Sequence, residues 1–179
     1  MPRRIALIYS TTDGQTLKIC RHLQTSLEAS GMRPELLPLA EAARCDLGGF
    51  DQLVIGASIR YGRHAPEVAQ FIEARAALLA ARPSAFFSVN LVARKAGKDE
   101  PQSNPYARRF LRTIPWQPRR AAVFAGRLDY PRYGFWDRLI IRCIMLLTGG
   151  PTDPTAVVEY TDWHKVEEFA AALARLDPQ

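Results

Sequence analysis

Apolar and polar positions along the 179-residue chain alternate between two patterns, one typical of buried strands and one typical of helices. A continuous apolar run over Ile5–Tyr9 is followed by a polar loop, and then by apolar residues at helical spacing from Leu17 to Leu27. Further strands are predicted over 33–39, 52–57, 85–91 and 121–126, and helices over 66–81, 104–112 and 162–176. Strands interleaved with helices predict an α/β fold with a doubly wound, five-stranded parallel sheet.

Length and composition favour one domain over residues 1–179, because 47% hydrophobic and 23% charged residues are typical of a globular domain of this size. The three cysteines form no Cys-x-x-Cys pair, so neither a disulfide framework nor a metal site is predicted. Cys20 and Cys143 fall on apolar helix faces and are expected in the core. No signal peptide precedes the first strand, so we expect a cytoplasmic protein.

The loop after the first strand is the strongest functional signal. A buried strand, a hydroxyl-rich loop and a helix N-terminus in succession are typical of a phosphate site, because first-turn N–H groups and the helix dipole favour an anion. The loop has neither the dinucleotide nor the nucleoside-triphosphate glycine pattern, and it suits the single phosphate of FMN. An ordinary capped turn is the alternative. We expect the Asp13 carboxylate to turn outward, since it would repel a phosphate. The candidate residues are Ser10, Thr11, Thr12, Asp13, Gly14, Gln15 and Thr16.

Two further loops, 58–62 and 88–95, follow predicted strands at the same edge of the sheet, where ligands of such sheets bind. In the first, the Tyr61 ring can lie against a flat heterocycle, and Arg60 supplies a cation for a reduced flavin or a substrate carboxylate. In the second, Asn90 and backbone groups can bind the polar edge of an isoalloxazine. The other candidate cofactor contacts are Ser58, Ile59, Phe86, Ser88, Val89, Leu91 and Val92.

Three other chemistries known on this type of sheet lack their residues. The first loop has no cysteine nucleophile for a phosphatase, and the end of the first strand has no acidic residues for a response regulator. A serine hydrolase elbow, Gly-x-Ser-x-Gly, is broken at Arg60. The three histidines have no ligand spacing, and His64 is a remote active-site candidate because it neighbours the second loop. No catalytic side chain is assigned, because a bound flavin would itself carry the redox chemistry.

Positive charge is concentrated in one third of the chain. Residues 94–142 contain 12 of the 24 Lys and Arg residues but only 4 of the 18 Asp and Glu residues. Such asymmetry indicates an anionic partner, which could be lipid headgroups, nucleic acid or an acidic small molecule. A basic face that is merely solvated is the alternative.

Residues 127–154, called here the inserted segment, leave the alternating pattern. Aromatic and arginine residues lead into a strongly apolar helix predicted over 134–148, which is shorter than the roughly twenty residues that span a bilayer. The helix must cover its apolar face against the protein core, a partner subunit or the headgroup boundary of a membrane. The residues expected to contact a membrane are Phe135, Trp136, Leu139 and Ile140.

Six blocks distributed over nearly the whole chain carry a family resemblance. They are 11–16, 54–62, 83–86, 88–95, 130–133 and 160–163. Together they resemble the quinone-dependent protoporphyrinogen IX dehydrogenases, and several blocks are specific to that family rather than to flavodoxins at large. The resemblance implies a flavodoxin-like fold with a long insertion near the last strand, and FMN as cofactor. It also implies oxidation of protoporphyrinogen IX in haem biosynthesis, with electrons passed to a membrane quinone, menaquinone or ubiquinone.

The resemblance also gives the basic region a target, because the substrate carries two propionates. Candidate substrate contacts are Arg94, Lys95, Arg127 and Arg132. A lipid-dissolved quinone implies peripheral association with the anionic cytoplasmic face of the inner membrane, and no nucleic-acid partner is expected; a homo-oligomer is left open. The alternatives are a flavodoxin-type electron carrier, an NAD(P)H:quinone reductase, and a non-catalytic module that binds membranes or nucleic acid.

Overall fold

A parallel sheet forms the centre of the structure, a computed structural model that describes residues 1–177. The strands are β1 (Arg4–Ser10), β2 (Arg33–Pro38), β3 (Gln52–Arg60), β4 (Arg63–His64), β5 (Ser84–Asn90), β6 (Arg120–Ala125), β7 (Arg127–Asp129) and β8 (Val157–Glu159). Five strands run in the order β2-β1-β3-β5-β6, and every neighbouring pair among them is parallel. This confirms the predicted five-stranded, doubly wound sheet. The short β4 pairs antiparallel with the end of β3.

Helices cover both faces of the sheet. They are α1 (Gln15–Ala29), α2 (Leu39–Ala42), α3 (Pro66–Ala74), α4 (Ala76–Ala81), α5 (Pro105–Thr113), α6 (Phe135–Thr148) and α7 (Trp163–Ala174). The side chains of Asn104 and Asp162 accept hydrogen bonds from first-turn N–H groups, and so they cap the starts of α5 and α7. The helix expected over 66–81 is divided at Arg75, whose φ of −115° is not helical. The Arg75 guanidinium donates there to the carbonyl of Ala43.

Successive residues of each strand enter two different cores, because side chains alternate between the faces of a strand. On one face Leu7 and Phe87 pack with Leu23 of α1 and Phe169 of α7. On the other face the core contains Ile8 and other fully or almost fully buried residues. These are Ile55, Val68, Phe71, Ile72, Phe86 and Trp116. With helices on both faces, the central strands are apolar over most of their length, which explains the apolar runs in the sequence.

The inserted segment 127–154 follows β6, the last strand along the chain of the five-stranded sheet, and begins a separate two-stranded sheet. Strand β7 pairs antiparallel with β8, and α6 lies between them along the chain. Helix α6 confirms the helix predicted over 134–148, and it ends at Gly149, whose φ of +68° is left-handed. The β7–β8 pair was not predicted, because strands of three residues are too short to show an alternating pattern.

Helix α6 buries only one of its residues, Met145. Met145 packs in a small cluster with Leu128, Tyr130 and Tyr133. The expectation that Cys143 lies in the core is therefore wrong, since Cys143 is exposed while Cys20 is buried. Cys143 is two positions before Met145 in the chain, so its side chain points to nearly the opposite side of the helix from the buried Met145. Among the helices of residues 1–177, none has both the length and the apolar character needed to cross a bilayer.

Candidate functional site

One cleft lies beyond the carboxyl ends of the central strands and joins all three predicted loops to α6. Its volume is about 200 Å³. From the first and second loops it is lined by Thr11, Asp13, Gln15, Ser58, Ile59, Arg60 and Tyr61, and from the third by Val89, Asn90, Leu91, Val92, Arg94 and Lys95. From β1 the chain first adds β2 on one side and then β3, β5 and β6 on the other, so the strand order changes direction between β1 and β3. The cleft is at this position, where doubly wound sheets bind ligands.

The first loop is shaped as an anion cradle. Gly14 has a φ of +88°, and its N–H donates to the Thr11 hydroxyl at 3.0 Å. The first helical bond is donated by the Lys18 N–H to the Gly14 carbonyl at 3.0 Å, so the preceding N–H groups point out of the start of α1. The hydroxyl of Thr16 is buried and has no hydrogen-bond partner among the described residues. A buried hydroxyl without a partner next to free N–H groups fits a phosphate oxygen.

Contacts between the first and second loops fix their spacing. The N–H of Thr12 donates to the Ser58 hydroxyl at 3.3 Å, and the two hydroxyls are 3.4 Å apart. Tyr61 has a φ of +50°, which is uncommon for a bulky residue, and its side chain is 62% exposed. This backbone conformation holds the aromatic ring at the edge of the cleft, where it can lie against a flat ligand.

Arg60 connects three elements at the mouth of the cleft. Its guanidinium contacts the Asp13 carboxylate at 2.9 Å and also pairs with Asp137 at the start of α6. The Tyr61 hydroxyl donates to the same Asp137 carboxylate. The expectation that Asp13 turns outward is therefore wrong, because the ion pair with Arg60 holds it at the cleft.

These contacts also shift the charge equilibria at the mouth of the cleft. The hydrogen bond from the Tyr61 hydroxyl, followed by the contacts with Arg60, holds the pKa of Asp137 below its usual value. Burial works against the charged form of Arg60, but Asp13, Asp137 and Tyr61 together raise its pKa. Both groups are therefore charged at neutral pH, and the pair is an ion pair under physiological conditions.

The third loop is held from beneath by a buried polar network. The Asn90 side chain accepts from the Ala93 N–H at 3.1 Å, and Asn104 donates to Asn90 at 3.0 Å. Ser88 links Asn90 to His64, with 2.9 Å between the Ser88 hydroxyl and His64 Nε2. Burial lowers the pKa of His64 to about 4, so its imidazole is neutral at pH 7. His64 therefore supports the loop and is not among the residues that line the cleft.

Helix α6 forms a wall of the cleft that the sequence did not assign to the site. Ile140, Ile141, Ile144, Met145 and Thr148 line the cleft from α6, and Tyr106, Gly126 and Tyr133 line it from other elements. Positions 141, 145 and 148 share one face of the helix, but apolar residues surround most of α6, so their spacing alone does not single out this face. The other side of α6 is exposed, with 74% exposure at Phe135, 71% at Trp136 and 85% at Leu147.

Comparisons with known proteins decide the family. The Flavodoxin domain family matches residues 6–155. The chain is 44% identical over 170 residues to protoporphyrinogen IX dehydrogenase [quinone] of Escherichia coli strain K12, a match that covers 95% of this chain and 94% of that protein. This chain belongs to that dehydrogenase family. A protein of the same name from Leishmania major is 41% identical over 171 residues, covering 95% of this chain and 74% of the relative.

Solved structures support the same fold at much lower identity. Oxidised flavodoxin 2 from Bacillus cereus matches with a TM-score of 0.57 and 17% identity, and the match covers 96% of this chain and 97% of that structure. Flavodoxin 1 from the same organism matches with a TM-score of 0.56 and 13% identity, covering 96% and 97%. Membership of the Flavodoxin domain family indicates that this dehydrogenase-family chain binds a flavin.

Two of the predicted flavin contacts of this family member lie in the interior. Phe86 is fully buried on the sheet face where it packs against Phe110 and His64, so its side chain belongs to the core and not to the cleft. Ser88 is also fully buried and is used by the network described above. Both assignments are corrected. Phe86 and Ser88 are two residues apart in β5, so their side chains leave the same face of the strand, where other protein groups cover them and neither lines the cleft.

The arginines predicted to contact the substrate differ in whether their guanidinium groups already have partners within the protein. Arg94 donates to the carbonyl of Leu91 and to the hydroxyl of Thr148, both at 2.8 Å. Arg127 pairs with Asp129 at 2.9 Å, where the Asp129 side chain is only 7% exposed. Arg132 is exposed outside the cleft lining, and it approaches the Asp13 carbonyl at 3.4 Å.

Proposed function

We propose that this protein oxidises protoporphyrinogen IX to protoporphyrin IX with FMN as cofactor, and that a membrane quinone accepts the electrons. The identity of 44% over 95% of the chain to a protein of that name carries the proposal. The cleft supports it, since an anion cradle, an exposed aromatic ring and an apolar helix face adjoin one another. When bound, FMN supplies the acceptor for each of the three two-electron steps that convert the porphyrinogen to the porphyrin.

The residues of the chain have separate roles in this proposal. The N–H groups before Lys18 and the Thr16 hydroxyl hold the phosphate, and backbone groups of 89–92 face the ring system. The Tyr61 ring covers the flavin edge, while Ile141 and Met145 of α6 exclude water from the apolar substrate. Exclusion of water from the cleft favours transfer to the cofactor over side reactions.

An anaerobic titration tests the proposed reaction. FMN-loaded protein without quinone is mixed with protoporphyrinogen IX, and we expect the visible flavin band to bleach. Porphyrin absorbance should follow once three two-electron steps per substrate molecule have been taken up by flavin. Adding a menaquinone or ubiquinone analogue should restore the band. Bleaching by NADH or NADPH but not by the porphyrinogen would instead support an NAD(P)H:quinone reductase. No bleaching by either donor would contradict both enzymatic proposals.

A flavodoxin-type electron carrier is a less favoured second reading. Such a carrier would dock its protein partner through an acidic surface, whereas residues 94–142 carry 12 basic and 4 acidic residues. The same titration separates the two, because a carrier would be bleached by a reduced redox protein and not by the porphyrinogen.

We also propose that α6 contacts the surface of an anionic membrane, as part of an insertion over 127–154 in a single domain of residues 1–179. Four residues were assigned to this contact from the sequence, and all of them are exposed: Phe135, Trp136, Leu139 and Ile140. Ile140 also reaches the cleft, so the helix could connect the lipid to the site of oxidation. Arg132 and Arg142 are exposed in the same segment and can attract anionic headgroups.

Vesicle flotation tests this contact. Wild-type protein should float with vesicles of phosphatidylglycerol and phosphatidylethanolamine, and the double variant Trp136→Ser with Leu147→Ser should lose roughly tenfold or more in affinity through lost apolar burial. Val157→Ser is the matched control, because Val157 is a 49% exposed apolar residue outside α6. Unchanged flotation of the double variant would contradict the proposal.

A further inference from the structure

The guanidinium of Arg60 is surrounded by groups from four parts of the chain. Asp13 comes from the first loop and Asp137 from α6. The rings of Tyr61 and Tyr133 each have their centroid 5.6 Å from the guanidinium carbon. Two carboxylates and two aromatic faces thus satisfy one cation at the mouth of the cleft.

The cations near the cleft differ in how easily their partners can be exchanged. The carboxylates on Arg60 are partly exposed, with side-chain exposures of 37% for Asp13 and 21% for Asp137. A displaced carboxylate of this kind regains water at little cost. Displacing the 7% exposed Asp129 from Arg127 would instead leave a buried charge without a partner, which is strongly unfavourable. Arg94 is held by internal acceptors at both outer nitrogens.

We propose that Arg60 binds a carboxylate of the substrate and that Asp137, with Asp13, occupies this position in the free protein as an internal competitor. The inference rests on the proposed function, because protoporphyrinogen IX combines an apolar macrocycle with two propionates. Asp13 and Asp137 each hold one outer nitrogen of Arg60. A planar guanidinium can bind a single carboxylate through two parallel hydrogen bonds, so an incoming propionate replaces both internal contacts.

The exchange links substrate binding to α6. Asp137 lies in the first turn of α6, and its contacts with Arg60 and Tyr61 attach that end of the helix to the second loop. A propionate on Arg60 releases this attachment. The freed Asp137 carboxylate remains favourable at the helix N-terminus, where the dipole attracts negative charge. Binding of the diacid therefore loosens the start of α6.

Equilibrium binding of two stable porphyrins tests the competition. Protoporphyrin IX carries free propionates, whereas its dimethyl ester has the same macrocycle without the charges. Each is titrated into the FMN-loaded full chain and followed by the Soret band. Arg60→Gln should weaken diacid binding about tenfold and Asp137→Asn should tighten it by about three- to tenfold, while ester binding stays within about twofold for both variants.

Asp153→Asn is the matched control, since Asp153 is an exposed acid in the same segment whose contacts are with Thr155. It should change neither affinity. Equal shifts for diacid and ester in the Asp137 variant, or weaker binding of the diacid, would overturn the competition. If the wild-type protein binds both porphyrins and is bleached by protoporphyrinogen IX, such a result leaves the proposed function intact. Wild-type protein that binds neither porphyrin would overturn the proposed function itself.

Discussion

Helices α1 and α6 are nearly equal in length, 15 and 14 residues, and both contribute to the same cleft, yet they are packed very differently. Helix α1 buries Ile19, Cys20, Leu23 and Leu27 completely. Helix α6 is more apolar in sequence and buries only Met145. The comparison teaches that apolar content does not decide burial. Helix α1 has the sheet and α7 to pack against, whereas one side of α6 faces an open cleft and the other faces solvent.

The largest expected difference between the two helices is in their contribution to stability. Leu23→Ala should lower the free energy of unfolding by about 2–5 kcal/mol, because it removes buried methyl groups and leaves a cavity. Leu147→Ala, at an 85% exposed position, should change it by less than about 0.5 kcal/mol. Urea unfolding of both variants measures the difference. Equal losses would mean that α6 is covered in solution, for example by a second copy of the chain.

A second prediction concerns pH and the buried side of the cleft. The pKa of His64 is about 4 in the folded protein, against 6.5 ordinarily, because burial disfavours the charged imidazole. Above pH 6.5 the His64 imidazole is mostly neutral in both the folded and the unfolded protein. Between pH 6.5 and about 4 it gains a proton mainly in the unfolded protein. This group should therefore cost about 2 kcal/mol of stability at pH 5, and more down to pH 4.

His64→Gln provides the comparison, because a glutamine amide can still bond to Ser88 and has no charge to gain. Unfolding free energies of both proteins are measured at pH 7.5 and pH 5. The wild type should lose about 2 kcal/mol more than the variant between these values. Parallel losses in the two proteins would show that the imidazole is protonated in the folded state.

A smaller effect, on ligand affinity, is expected at the start of α1, which contributes a phosphate site to the cleft where α6 contributes an apolar wall. Thr16→Val keeps the volume of the side chain and removes the buried hydroxyl that has no partner among the described residues. FMN affinity should fall about tenfold, while riboflavin, which lacks the phosphate, should bind as before. Thr25→Val is a matched control on the exposed side of the same helix. Equal losses for FMN and riboflavin would place the phosphate elsewhere.

The sheet and the first loop could be predicted because their signals are local. An apolar run such as Ile5–Tyr9 and a hydroxyl-rich loop before a helix each determine nearby structure. The contacts of Arg60 with Asp13 and Asp137 were not predictable, because they join residues 47 and 77 positions apart in the chain. Phe86 was misassigned because its place within an apolar strand does not reveal which groups cover its side chain.

The side of α6 that meets the cleft was unpredictable for a different physical reason. Its apolar residues surround most of the helix, so periodicity does not select one face. Tertiary contacts fix its rotation instead: Met145 packs beside Tyr130, and Asp137 and Thr148 bond to side chains of other elements. The substrate contacts were placed by charge alone, and charge could not reveal that Arg94 and Arg127 have internal partners.

The two bonds donated by Arg94 have a mechanical consequence. One guanidinium donates to the carbonyl of Leu91, which lines the cleft, and to the hydroxyl of Thr148 in the final turn of α6, so these two places are tethered to each other. Coupling between two sites acts equally in both directions. A flavin that immobilises the 91–94 turn should therefore slow amide hydrogen exchange at the far end of the helix. A lipid surface that restrains the helix should, by the same tether, stiffen the turn.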